Sequence, residues 1–435
     1  MKTDGSSRSK VRAVSILFMG LAHLIYFKQY IKGLFFAAAE AGMLLLSPFF
    51  VRKIRDMITL GTPRPEIPVK FRDNSVFMLI DGVMACAVIA VFVALYVLSV
   101  KSALSAYEEF CILKRRPAER ISRTLSGKSF PILGLAPAVL LVLFFVVVPL
   151  VFSACAAFTN YSSPNHIPPN NTVDWVGFQN FSDLFGGQAA WTSALGRVAL
   201  WTLIWGLCAT LTCYFGGLLI AVLLQESRLR IAPLFRGVFI LPYAVPSVVS
   251  VLVWKNLLNG SFGIVNRTLM EIGWISAPIP WLSDTLLAQF MCIFVNLWAG
   301  FPYFMLLTMG TMTAISPDVY EAARIDGANR SQVFRKITMP LVMYQTMPLI
   351  IMSFTHNINN FGAIFFLTSG MPKVADSTVT AAGGTDILVT WIYQLTVNLL
   401  KYNYAAVVAV LLFVVIAPFA IFNFRRTKSY REGEL

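Results

Sequence analysis

Two clusters of uncharged polar residues interrupt otherwise apolar stretches of this 435-residue chain. In "NLWAGFPYF", Asn296, Gly300 and Tyr303 recur at i, i+4 and i+7, the spacing of one helix face. In "SFTHNINNFGAIFF", His356, Asn357 and Asn360 are expected to share a second face. Carboxamides donate and accept hydrogen bonds at once, as sugar hydroxyls do. A tyrosine adds a flat apolar face with a hydroxyl at its edge. Gly300 leaves room for a ring to approach the backbone. The same residue types also hydrogen-bond one membrane helix to another, the commoner use of Asn and His there. On the residues alone both readings stay open.

Other chemistry is poorly supported. Gly127-Lys128-Ser129 resembles the end of a phosphate-binding loop, but Ser122 stands where that pattern needs a glycine. The triplet also lies in a basic linker, not between a strand and a helix. If ATP is used, another subunit must hydrolyse it. Cys86, Cys111, Cys155, Cys208, Cys213 and Cys292 form no C-x-x-C pair or Cys/His cluster, so neither a metal site nor a disulfide framework is expected. Glu40, Asp81 and Lys255 are the charges inside or at the ends of apolar segments. Proton coupling is the sharp reading of the acids. Structural or interfacial roles are favoured, because Asp81 and Lys255 lie near segment ends.

The elements that must position these groups are membrane spans. The chain is 57% hydrophobic and 13% charged, about half the charged fraction of a soluble protein. Its apolar residues come in runs of about 20, long enough to cross a bilayer as helices. The fold expected is an all-α polytopic membrane protein with about eight transmembrane helices, near 34–51, 76–100, 131–157, 198–225, 237–258, 285–311, 341–368 and 403–424. Residues 11–27 are apolar but short, and fit an interfacial helix or part of a hairpin.

The net charge of +14 falls in loops and tails, as the positive-inside bias requires. No aromatic–basic interleaving accompanies it, so no nucleic-acid partner is expected. Segment 101–130, the link "ESRLR" and the tail "FRRTKSYREGEL" are basic and expected to be cytoplasmic, with both termini inside. Loops 159–197, 259–284 and 369–402 are nearly free of Lys and Arg and expected to face outward. One loop resists: residues 52–75 hold Arg52, Lys53, Arg55, Arg64, Lys70 and Arg72, yet come out external.

Between two spans lies the polar stretch "EAARIDGANRSQVFRKITMP". Ser316 suits an N-cap, Pro317 the first turn, and Asp318 and Glu321 the positive end of a helix dipole. Gly327 can take the positive φ that ends a helix. Ser331 is a further cap, opening a second helical segment. Ala322, Ala323 and Ala328 leave little side-chain bulk, and Tyr320, Ile325 and Phe334 offer anchors for a partner surface.

This stretch resembles the EAA signature of ABC-importer permeases, matched by Glu321, Ala322, Ala323, Asp326, Gly327, Ala328, Phe334, Ile337, Pro340 and Leu341. The resemblance covers about residues 131–430, including "DWVGFQNFSDLF", and is strongest to the larger permease subunit of maltose/maltodextrin transporters. It implies a type I ABC-importer permease fold in a bacterial cell membrane. The EAA helix would be a cytoplasmic coupling helix seated on an ATPase, with Glu321, Ala322, Ala323, Asp326, Gly327 and Ala328 at the contact. The chain itself would be non-catalytic and hold no cofactor, with ATP and Mg bound by two ABC ATPase subunits. A second, shorter permease subunit and membrane lipid complete the surroundings.

By the same resemblance, Asn296, Gly300, Tyr303, Asn357 and Asn360 match a sugar site, and the substrate would be a maltodextrin-type oligosaccharide moved by alternating access. His356 departs from the usual aromatic there, and Ala299 replaces a larger aliphatic residue. The short loop 159–197 implies an extracellular, lipid-anchored solute-binding protein as partner. The alternatives are an ion-coupled secondary sugar transporter, which neither a repeat pair nor enough midplane acids supports, or an importer for another oligosaccharide or polyol. On this reading the chain divides into an N-terminal region, 1–130, with two spans and basic loops; a permease core, 131–424, of six spans with the EAA loop at 315–340; and a basic cytoplasmic tail, 425–435.

Overall fold

A computed structural model describes residues 5–113, 130–226 and 231–426. The Gly127-Lys128-Ser129 triplet, most of "ESRLR" and the tail beyond Arg426 lie outside the described residues. Among the described residues, seven helices are long and apolar enough to cross a bilayer, or eight with a bent pair counted as one span. The chain forms two compact units, Met1–Val176 and Gly177–Leu435. The boundary expected at residue 130 falls inside the first unit, because the third span packs on the second.

The first unit contains α1 (Gly5–Leu17), α2 (Tyr30–Thr59), α3 (Ser75–Leu113), α4 (Phe130–Val142) and α5 (Val148–Ala156). A π-turn at Leu143–Val147 joins α4 to α5, so the two form one span. Residues 11–27 do not span. Helix α1 runs antiparallel beside the last turns of α3, with Arg8 paired to Glu108 at 2.8 Å. The Tyr96 hydroxyl donates to the Ile16 carbonyl. The chain then turns, and the Glu40 carboxylate accepts the Met19 backbone N–H at that turn. Phe27 returns to pack with Val11, Ala103, Ala106 and Tyr107. Residues 5–27 are therefore a hairpin that enters and leaves at one end of the unit.

At the opposite end, the Ser75 hydroxyl donates to the Leu60 carbonyl at 2.5 Å and accepts the Val173 N–H at 3.0 Å. Trp175 Nε1 donates to the Ile58 carbonyl at 3.1 Å. Loops 60–74 and 157–176 thus share one end, as eight crossings require, and loop 52–75 cannot be moved to the side of α1. Lys53 and Asp81 tie α2 to α3 at 2.7 Å. Glu40 and Asp81 thus each make a contact between elements of the first unit.

The second unit is built on α6 (Ala189–Glu226). It continues with α7 (Ala232–Ala244), α8 (Ser247–Leu257), α9 (Ile264–Glu271), α10 (Thr285–Thr313), α11 (Pro317–Ile325), α12 (Arg330–Val333) and α13 (Met339–Ile358). It closes with α14 (Phe361–Thr368), α15 (Leu388–Tyr393) and α16 (Tyr402–Arg426). Two expected spans are broken. The span at 237–258 bends by 91° between α7 and α8, because Pro246 forces Val245 into extended geometry (φ −85°, ψ 136°). The span at 341–368 stops at Ile358, and Asn360 restarts the chain as the N-cap of α14.

Helix α6 lies parallel to α10 and antiparallel to α13. Small residues let it approach both: a Cβ on Gly217 would sit 2.6 Å from the Phe301 carbonyl oxygen and the Met305 nitrogen, so here backbone meets backbone. A Cβ on Gly300 would meet Cys213 Sγ at 2.7 Å. Toward α13, the Tyr214 hydroxyl meets Thr346 Oγ1 at 3.0 Å.

A polar knot secures loop 369–401 to the start of α6. Arg197 donates to Asp376 Oδ1 at 2.5 Å, to the Gly383 carbonyl at 2.7 Å and to the Ala382 carbonyl at 3.1 Å. Asp386, 1% exposed, accepts the Gly383 N–H and the Thr390 hydroxyl, each at 2.7 Å. Burial pushes its carboxyl up from the ordinary 3.8 to about 6, against those two hydrogen bonds and the Arg197 charge. The folded state therefore holds the Asp386 proton more tightly than the unfolded chain does. Stability from this group is full below about pH 4 and is lost as pH rises through about 6. The apparent melting temperature of the purified protein is expected to rise by several degrees between about pH 7 and about pH 5, and Asp386→Asn to flatten that rise. A wild-type profile indistinguishable from the variant's would contradict this.

Candidate functional site

Helix α11 is a short, deliberately terminated element between two spans. Ser316 caps it by accepting the Asp318 N–H, and Pro317 occupies its first turn. Gly327, at φ +76°, ends it. The Gly327 N–H bonds the Arg324 carbonyl at 3.1 Å and the Ala328 N–H bonds the Ala323 carbonyl at 2.9 Å, the paired closure of a Schellman motif. The next segment is capped by Asn329, not by Ser331: Asn329 and Gln332 form a reciprocal capping box.

The faces of α11 differ. Ala323 is buried, and Tyr320 turns inward, its hydroxyl 3.3 Å from Thr338 Oγ1. Tyr320 is therefore a brace for the loop and not a free anchor. Ile315, Met312 and Val342 form the cluster beneath it. Glu321, Ala322, Asp326 and Gly327 are exposed, and Ile325 is 85% exposed. Ala328 and Phe334 are half-buried. With Arg324 also exposed, the loop presents a narrow ridge of apolar and mixed-charge groups, while its base is locked to the ends of α10 and α13.

The polar residues within the spans are not one cluster. Asn296, half-buried on α10, donates from Nδ2 to Cys213 Sγ at 3.4 Å. With Ala299, Ser247 and Asn360 it lines a small cavity of ≈ 90 Å³ at the bend between α7 and α8. Asn360 also accepts the Ala363 N–H through its side chain. Gly300 is occupied by the close approach of Cys213. Tyr303 is 37% exposed, and its ring lies 6.2 Å from that of Tyr243 and 5.1 Å from that of Phe304.

His356, Asn357 and Asn360 do not share a face. Consecutive residues on a helix point about 100° apart, and α13 ends between Asn357 and Asn360. Asn357 is buried, donates to Thr210 Oγ1 at 3.0 Å, and its carbonyl accepts Trp205 Nε1 at 2.9 Å. His356 is exposed to a cavity of ≈ 1020 Å³ between α13 and α16. Gln345, Thr355, Asn359 and Asn423 line that cavity too. Sequence spacing held a trace of Gln345 and Asn359 with His356, since positions 345, 356 and 359 repeat on one helical face. Nothing local marks Asn423, which comes from another helix. The polar side chains of the large cavity, Tyr344 included, are amides, hydroxyls and an imidazole, and among the described residues no Lys, Arg, Asp or Glu lines it.

Asn357→Ala is expected to leave the Thr210 hydroxyl without its partner and to lower the apparent melting temperature by several degrees, from about 1–3 kcal/mol of lost stability. His356→Ala is expected to leave it unchanged. Equal stability of the two variants would contradict these placements.

Residues 213–428 match the family model described as "Binding-protein-dependent transport system inner membrane component". The chain is 36% identical over 415 residues to the galactooligosaccharides transport system permease protein GanP of Bacillus subtilis (strain 168), covering 94% of this chain and 95% of that one. It is 32% identical over 432 residues to the maltodextrin transport system permease protein MalC of Streptococcus pneumoniae serotype 4, covering 97% and 96%. Among solved structures, a bacterial ABC transporter that imports the acidic polysaccharide alginate shares the fold, with a TM-score of 0.56 at 22% identity over 71% of this chain and 100% of that one. The chain belongs to the inner-membrane components of binding-protein-dependent transport systems and is a multi-pass permease of an ABC importer.

Proposed function

We propose that this chain is the larger permease subunit of an ATP-driven importer that moves neutral oligosaccharides by alternating access. The carrying observation is the uncharged lining of its cavities. Amide, hydroxyl and imidazole groups face the large cavity, and Asn296, Asn360 and Ser247 face the small one. Such groups match the hydroxyls of a neutral sugar, whereas an acidic polysaccharide would be met by cations. Tyr303 and His356 supply ring faces, while Gly300 and Asn357 shape the surrounding walls. The full-length relatives named for galacto-oligosaccharide and maltodextrin transport support the substrate class. The identity to the galacto-oligosaccharide permease supports testing galacto-oligosaccharides beside maltodextrins as substrates.

In this reading, ATP and Mg bind partner ATPase subunits. The ridge of Glu321, Ala322, Asp326 and Gly327, backed by the buried Ala323 and half-buried Ala328, takes up their motion, with Ile325 as its apolar tip. Because the Tyr320–Thr338 contact and the Ile315 cluster fix the base of α11, a push on the ridge moves the ends of α10 and α13. Those helices carry Asn296 and His356, so the cavity walls shift with the ridge. A second, shorter permease closes the pathway, and an extracellular lipid-anchored binding protein delivers sugar. Both termini then lie in the cytoplasm.

The test uses the importer reconstituted with its partners. Glu321→Lys or Gly327→Pro is expected to preserve membrane insertion but reduce ATP-driven uptake by roughly tenfold or more, the equivalent of one lost interface contact. Uptake at the wild-type rate in both variants would contradict the coupling role. Competition with ladders of malto-oligosaccharides, galacto-oligosaccharides and oligouronates then fixes the substrate, and competition by oligouronates alone would overturn the neutral-sugar reading.

A further inference from the structure

The end of α2 and the loop after it carry cations that oligosaccharide transport does not use. This segment lies at the end of the first unit opposite α1, where the positive-inside bias depletes Lys and Arg. The structure sorts its charges. Lys53 is paired with Asp81. The Arg72 guanidinium turns inward, donating to the Ile67 carbonyl at 2.9 Å and the Pro65 carbonyl at 2.7 Å, and so shapes the loop. Asp73 is turned to the Thr62 N–H at 3.0 Å.

Four cations remain on the surface: Arg52, Arg55, Arg64 and Lys70. Among the described residues none of them forms an ion pair. Arg64 donates only to the Thr62 hydroxyl, at 3.2 Å. Glu66 is the exposed carboxylate of the segment, and Asp56 is half-buried, so positive charge dominates the surface.

Depth and apolar neighbours say what this surface meets. The apolar stretch 34–51 of α2 rises about 27 Å, close to the thickness of a bilayer core. Arg52 follows at once, seven residues beyond Leu45, which is 81% exposed on the same helix face. Arg52 and Arg55 therefore stand at headgroup level above a lipid-facing stripe. Beyond them, Lys70 sits between Val69 and Phe71 in a single helical turn, and these two apolar side chains are 50% and 71% exposed. Exposed apolar groups interleaved with cations at this depth fit the boundary between headgroups and acyl chains.

We propose that this surface is a binding site for anionic phospholipid headgroups in the leaflet opposite the N-terminus. Arg52, Arg55, Arg64 and Lys70 contact the phosphates, and Val69 and Phe71 insert as an interfacial wedge. Guanidinium forks match phosphate oxygens in pairs, so the three arginines favour phosphate over neutral headgroups. The site holds the α2–α3 hairpin at a fixed depth while the second unit works.

The full-length protein, in phosphatidylcholine vesicles, would be tested with trace spin-labelled phosphatidylglycerol or phosphatidylcholine, reading the immobilised fraction of each lipid. Wild type is expected to favour phosphatidylglycerol. The quadruple variant R52Q/R55Q/R64Q/K70Q is expected to lose roughly fivefold or more of that preference, the effect of at least one cation at an anionic surface. The milder variant Arg55→Gln with Lys70→Gln should fall between them, and serves if the quadruple variant does not fold. Unchanged preference in a folded variant overturns the proposal. A soluble polyglycerol phosphate is the other source of phosphate; its loss of binding in the variant, with lipid preference intact, would also overturn the lipid assignment.

Discussion

The second unit depends on one contact, the close parallel approach of α6 and α10 at Gly217. Backbone atoms of Phe301 and Met305 occupy the space a side chain would need. In a bilayer, apolar burial gives little drive for helices to associate, so packing of small residues and interhelical hydrogen bonds must hold them. Helix α6 follows this rule along its length. Ala209, Cys213, Gly217 and Ala221 recur every four residues and face α10 and the clusters around it. On its other side, Thr210 and Tyr214 hydrogen-bond Asn357 and Thr346 of α13. One helix therefore fixes two others, and the polar knot of Arg197, Asp376 and Asp386 fixes the start of that helix to the loop above.

Everything functional hangs from this arrangement. Helix α10 carries Asn296 and Tyr303 and leads directly into the α11 ridge. Helix α13 leaves that loop and carries His356 into the large cavity. Helix α6 is packed against both, so the ridge, the seam and one wall of each cavity are joined through direct contacts. Under the proposed function, work delivered at α11 would reach the cavities by rigid displacement of α6, α10 and α13 together.

Much of this was legible in the sequence, and the exceptions have physical causes. Long apolar runs fixed the number of crossings, since only helices satisfy their own backbone in lipid. Ser316, Pro317 and Gly327 marked α11 because capping is a local matter. Asn329 was missed as a cap because Ser331 is an equally good type, and only the Gln332 partner decides between them. The bend at Pro246 and the break before Asn360 fall inside windows apolar enough overall to read as continuous spans. Asn357 and His356 read alike as polar neighbours, yet one turns to Thr210 and the other to open space. That choice is made by α6, a helix about 150 residues away in the chain, and local spacing holds no trace of it. The hairpin at residues 5–27 depends similarly on Glu40 and Tyr96 from two other helices.

A distance across the seam, followed through the transport cycle, decides whether α6 and α10 move as one body. Spin labels at positions 223 on α6 and 306 on α10 would sit on exposed sites flanking the contact. Their separation would be read by pulsed electron resonance in the reconstituted importer, with and without bound ATP. The expected result is one unchanged distance distribution in both states. A distribution that shifts or splits when ATP binds would show that α6 and α10 slide apart, and would contradict their motion as one body.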